Sequence, residues 1–390
     1  MALGPATPIP ATGRLGVDLV PKFLGTLLGV VRALPDHAAS KVRLPSALVK
    51  SEVGQRMIGF ANGAISEQAS VRGDALPAAM SVRLDHRRIH PDRASLAAAY
   101  PSAKGRLVVF LHGLVDTERS WFHTDRLGRG RPGTDLGDKL ATALPCTPVY
   151  VRYNSGRHVS DNGRELADLL DLLVDRWPVD VTDIVLVGHS MGGLVARSAV
   201  HQAHARTIRW SSLVTRLVCL GTPHTGAPLE RSVARLAGLL ARVRPAAPLS
   251  WLLALRSDGI KDLAEGYLHE HQWADDDVVE QVEAVLPNNV RQLHVSATLS
   301  RSENSVLGRV LGDLMVSPSS AADPEQNADR RWLGGLTHFD LLRHDDVHQL
   351  LLDWLSTTGA VRTRLGQPVI TSGERRRIQV ASGHPRCSTA

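Results

Sequence analysis

The stretch Ile184-Val185-Leu186-Val187-Gly188-His189-Ser190-Met191-Gly192-Gly193-Leu194 decides how this chain is read. It opens on a run of apolar, mostly β-branched residues, the mark of a strand buried on both faces. It closes on residues that continue as a helix to Ala205. Between them lies Gly-His-Ser-Met-Gly. A serine on so tight a strand-to-helix turn needs strained backbone angles, and small residues two places before and after it avoid a clash. The plainer alternative is a turn whose serine merely caps the helix. Strand, turn and helix agree in order and length, which favours Ser190 as a nucleophile with Gly188 and Gly192 as the flanking glycines.

Outward from that turn the pattern is regular. Strands are expected at 107–111, 147–153, 183–187, 217–220 and 292–297, and helices at 135–144, 163–177, 191–205 and 345–354. The helix at 163–177 carries Leu166, Leu169, Leu170 and Leu173 on one face. Strands alternating with helices predict an α/β chain with a mostly parallel sheet flanked by helices. The segment 228–285 interrupts this alternation. Leu229, Val233, Leu236, Leu240 and Val243 form an apolar stripe at helical spacing, so a helical cap insertion is expected at about 226–288. The domain reading is an N-terminal helical segment at 1–100, a catalytic domain at 101–358 and a basic tail at 359–390. In the first segment, 23–34 and 51–69 read as helices and 80–84 as a short strand.

Composition narrows the partners. The chain has 390 residues, 43% hydrophobic and 22% charged, which suits a globular protein with a large core. Its net charge is +6, but the last thirty residues hold six arginines against one acid, Glu374, and so carry +5 of it. That tail lacks any structural period and reads as disordered, and at most a weak contact with an anionic membrane surface is expected, through the tail or the cap. No nucleic-acid partner is expected. Three cysteines, Cys146, Cys219 and Cys387, give no disulfide framework. The N-terminus lacks the charge and apolar order of a secretory signal, so a cytoplasmic location is expected.

A serine nucleophile needs a base and an oriented third group. In this architecture the chain order is serine, acid, histidine. His338 lies beyond the last expected strand and before the final helix, the place for the base. His344 and His348 compete but belong to the helix start and the helix. His189 sits inside the turn, and His112 and His224 fall too early. His269 and His271, with Glu270, read as a solvated helix face rather than a metal site. For the acid, Asp313 in Gly312-Asp313-Leu314-Met315-Val316 follows the 292–297 strand, with Asp323 and Glu325 as rivals and Asp340 too near His338 in sequence. The oxyanion needs two backbone donors. Met191 follows the nucleophile, and Leu114 lies in Leu111-His112-Gly113-Leu114-Val115, where Gly113 permits a close turn. No metal or organic cofactor is required.

Val109 to Gly113, Tyr153-Asn154-Ser155-Gly156, Val187 to Arg197, Leu220-Gly221-Thr222-Pro223-His224-Thr225-Gly226, Gly312 to Val316 and Thr337-His338 together resemble bacterial lipases and esterases of the α/β-hydrolase fold, near proteins similar to GPI inositol deacylase. The likeness spans roughly 105 to 355. Leu314 stands where such lipases often carry glycine after the acid. The resemblance implies ester hydrolysis by Ser190, Asp313 and His338 on a small-molecule or lipid ester. The same three groups would also serve an acyltransferase or thioesterase, and a non-catalytic binding protein on this fold is a third alternative.

Overall fold

A computed structural model describes residues 79–85, 87–122, 135–224, 258–265, 267–268, 270, 286–300 and 328–357. The expectations for 1–78, for most of the cap insertion, for Asp313, Asp323 and Glu325, and for the basic tail lie outside them.

Eight strands form one sheet: β1 (Ser81–Leu84), β2 (Arg87–Ile89), β3 (Arg106–Leu111), β4 (Cys146–Arg152), β5 (Asp183–His189), β6 (Val214–Leu220), β7 (Arg291–Thr298) and β8 (Ala328–Gly334). Their order is β2-β1-β4-β3-β5-β6-β7-β8. The strands from β4 through β8 pair in parallel, while β1 runs antiparallel to both β2 and β4. The sheet therefore begins at Ser81, ahead of the expected domain start at 101.

Alternation along each strand feeds two separate cores. Leu107, Val109 and Leu111 of β3 join Ile184 and Leu186 of β5 on one face. That face is covered by α1 (Arg93–Ala99), α3 (Val159–Arg176) and α4 (Met191–Ala205). Val108 and Phe110 join Val185, Val187 and Val295 on the other. There α2 (Leu136–Ala143) and α6 (Asp345–Ser356) supply Leu136, Leu140, Leu351 and Leu355. A sheet buried on both faces explains the unbroken apolar runs of β3 and β5. This is the expected α/β-hydrolase fold.

The chain leaves β3 to one side to form β4, then crosses back to form β5 on the other side of β3. Such a switch point opens a crevice at the carboxyl ends of the strands. Leu111 pairs with Gly188, so β3 and β5 end level and their following loops face each other across it. A further short helix, α5 (Asp258–Glu265), packs beside the start of α3.

Candidate active site

Ser190 lies between β5 and α4 with φ 52° and ψ −123°. A non-glycine residue there carries stored backbone strain, on the order of 1–3 kcal/mol. Ser190 occupies the cap position of α4, yet its side chain makes no capping hydrogen bond. The helix-capping alternative therefore does not describe this serine. Its N–H donates to Leu220 O at 2.8 Å, and its carbonyl accepts from Gly193 N–H at 3.0 Å. Room is minimal. A Cβ on Gly188 would fall 2.4 Å from Gly193 N, and one on Gly192 would fall 2.4 Å from Leu111 O and 2.6 Å from His112 O. At both flanking glycines a side chain would collide with backbone.

The loop after β3 arrives at the same point. A Cβ on Gly113 would fall 3.2 Å from Ser190 Cβ. Neither the Leu114 N–H nor the Met191 N–H donates a hydrogen bond to another described residue. Met191 is the first residue of α4, where N–H groups have no intrahelical acceptor and the helix dipole is positive. Val115 has φ 55°, which a β-branched side chain adopts only when its surroundings impose it.

His338 is buried in the turn after β8. A Cβ on Gly221 would fall 3.0 Å from His338 Nδ1, and Gly221 directly follows Leu220, the acceptor of the Ser190 N–H. His189 donates from Nε2 to His338 O at 3.0 Å, and the two rings lie 4.6 Å apart. Ser190 and His338 are thus joined through the residues next to them, Leu220-Gly221 on one side and His189 on the other. Burial first, and then His338, push the His189 imidazole well below its ordinary range, so it stays neutral.

The competing groups are committed elsewhere. Asp340 accepts from Thr337 N–H at 2.8 Å and Thr337 Oγ1 at 2.7 Å, which closes its own turn. His344 caps α6 by accepting from Asp346 N–H at 3.2 Å. His348 Nδ1 accepts from Lys139 Nζ at 2.7 Å. His112 accepts the Tyr153 N–H on Nε2 at 3.2 Å and lies 2.9 Å from Gly113 O through Nδ1. These two bonds fix the proton on Nδ1, and burial pushes its pKa down to about 4.

Cys219, His224 and His294 bring three potential ligand atoms within 4.8 Å of one another. Arg197 Nη1 lies 2.6 Å from His224 Nδ1, and the His224 and His294 rings stack at 4.2 Å. A guanidinium only donates, so Nδ1 is the acceptor and neutral His224 carries its proton on Nε2. Neither ring nitrogen then offers a lone pair to a cation, and the arginine charge opposes one. The chemistry of this cluster suits packing of α4 against β6 and β7 better than metal binding.

Residues 153–247 match the family model described as the PGAP1-like alpha/beta domain. No curated protein matches the chain. Among solved structures, the mature lipase BlEst2 of Bacillus licheniformis aligns at 21% identity with TM-score 0.45, over 66% of this chain and 94% of that one. The Pyrococcus furiosus esterase Pf2001 aligns at 15% identity with TM-score 0.40, over 65% and 82%. The Pyrobaculum calidifontis esterase aligns at 16% identity with TM-score 0.41, over 88% and 95%. Among the described residues no helix is long and apolar enough to cross a membrane.

Proposed function

We propose that this chain, an α/β-hydrolase by fold, is a serine carboxylic-ester hydrolase acting on a small-molecule or lipid ester. The observation that carries the reading is Ser190 itself, held in a left-handed turn between strand and helix without a capping bond. Structural serines at helix starts use the hydroxyl as a cap and adopt extended angles. A strained, uncommitted one suits nucleophilic attack.

His338 takes the Ser190 proton as Oγ attacks the ester carbonyl carbon. The carbonyl oxygen becomes an oxyanion and accepts the N–H groups of Leu114 and Met191, with the positive end of α4 behind them. The tetrahedral intermediate collapses, and the alcohol leaves with the proton returned by His338. A water, deprotonated by His338, then attacks the acyl carbon, and the second tetrahedral intermediate expels Ser190 Oγ, which takes that proton back from His338 as the acid is released. Asp313, between β7 and β8 in sequence, is the carboxylate assigned to hold the imidazole and stabilise its charged form.

Hydrolysis of p-nitrophenyl esters of graded chain length tests this on wild type, Ser190→Ala and Asp313→Asn. The expected loss of kcat is about 10⁴- to 10⁶-fold for Ser190→Ala and about 10⁴-fold for Asp313→Asn. Asp323→Asn and Glu325→Gln should stay near wild type. A wild-type protein that neither hydrolyses any ester nor reacts with a fluorophosphonate refutes the reading.

A further inference from the structure

The C-terminal end of β4 holds the loop that follows β3 at three separate places. Arg152 binds Glu118 through two hydrogen bonds, Nε to Oε2 at 2.5 Å and Nη2 to Oε1 at 2.6 Å. Tyr153 stacks on His112 at 4.3 Å, donates its hydroxyl to His112 O at 2.6 Å and gives its N–H to His112 Nε2. Ser155 Oγ accepts the Val115 N–H at 3.1 Å. The first two contacts fix the two ends of the segment 112–118. The third acts in its middle, on the residue whose backbone is left-handed and next to the N–H of Leu114.

Ser155 is itself firmly set and fully buried. Asn154 Oδ1 accepts the Gly156 N–H at 2.9 Å, and Asn162 of α3 donates to Asn154 O at 2.9 Å. A valine at positive φ would relax toward ordinary angles if the hydroxyl were removed, and the peptide between Leu114 and Val115 would turn with it. The Leu114 N–H lies in the preceding peptide, one Cα away, and as the Leu114 backbone follows that turn it would lose its aim at the place beside Ser190 where negative charge develops.

We propose that Ser155 is a positioning residue for the oxyanion hole, holding Val115 so that Leu114 presents its N–H to the reacting carbonyl oxygen. This rests on the serine hydrolase reading above. Ser155 forms no bond with substrate. Its effect is on the transition state, because an oxyanion donor matters far more to the tetrahedral species than to the ground-state ester.

The test compares wild type with Ser155→Ala, with rates counted per site titrated by a fluorophosphonate. Expected are a fall in kcat of about 10- to 100-fold and a KM unchanged within about threefold. The inhibition constant of a trifluoromethyl ketone, which mimics the tetrahedral species, should rise by the same factor as kcat/KM falls. Val115→Gly in the Ser155→Ala background should recover part of the rate, since glycine adopts positive φ without strain. If Ser155→Ala yields too few titratable sites, Val115→Gly and Val115→Gly/Ser155→Ala are compared in the same way. An unchanged kcat per site and an unchanged ketone affinity overturn the proposal while leaving the hydrolase reading intact. A wild type inert to esters and to fluorophosphonate removes the reading on which it stands.

Discussion

The main-chain N–H of Ser190 donates to the carbonyl of Leu220 at 2.8 Å, which hangs the turn after β5 on the end of β6. The carbonyls of Leu111 and His112 crowd the same turn from the other side, at Gly192. The serine is gripped between two strands, and its backbone angles follow from that grip.

Gly192→Ala should therefore be costly beyond any helix preference. The added methyl would lie 2.4 Å from Leu111 O, against backbone that cannot step aside. A loss of about 3 kcal/mol in urea unfolding is expected, with esterase activity falling alongside. A variant of wild-type stability and activity would show that the turn after β5 has slack.

His338 and His348 are ten residues apart and both buried. His338→Gln should lower kcat by about 10⁴-fold or more, whereas His348→Gln should keep it within about tenfold, since His348 faces Lys139. Steady-state ester hydrolysis on both variants decides. Equal losses would mean that the base has been placed on the wrong histidine.

Stability should fall with acid, with a definite opposition. Burial holds His112, His189 and His224 below their usual range. The unfolded chain protonates them near pH 6.5 and the folded chain does not, so stability drops as pH falls below 6.5. Burial raises Asp135 and Asp262 from 3.8 to about 6. Their contribution is fully present below pH 4 and is lost as pH rises through 6, so they oppose the histidines in that window. Asp262→Asn should remove part of this opposition. Its urea midpoints should drop more steeply between pH 6 and 4 than those of wild type, by about one proton's worth, or about 1.4 kcal/mol per pH unit. Equal slopes would count against a buried, protonated Asp262.

Glu118 and Arg152 are both out of solvent. Burial alone would raise the Glu118 carboxyl, but the charge and hydrogen bonds of Arg152 hold it below its ordinary value. Glu118→Gln leaves the guanidinium buried without its counter-charge. Denaturant unfolding should show a loss of about 3–5 kcal/mol. A change under about 1 kcal/mol would mean that water reaches the arginine.

The sheet centre was legible because its chemistry is local. The expected strands at 107–111 and 183–187 are unbroken apolar runs and agree with β3 and β5. β8 went unread because it lies at the sheet edge, and Ala328-Asp329-Arg330-Arg331-Trp332 offers little apolar signal. β2 is only three residues, two of them arginine. α3 starts four residues before the expected 163, because Ser160 and Asn162 are buried by hydrogen bonding rather than by apolar character. The strand-to-helix turn at Ser190 is legible from its motif, and the place of His338 after the last strand from its order in the chain. Ser155 and Tyr153 stand out in the sequence only as part of a resemblance, since their contacts are with Val115 and His112, about forty places away.

The buried Glu118–Arg152 pair also limits how this sequence can drift. Either residue changed alone leaves a stranded charge, whereas both replaced together by apolar residues of matching volume can fold as well or better. Divergent descendants should therefore carry the pair intact or lack both members, with few lineages caught between. Their sequences would record two distant positions inherited as a single character.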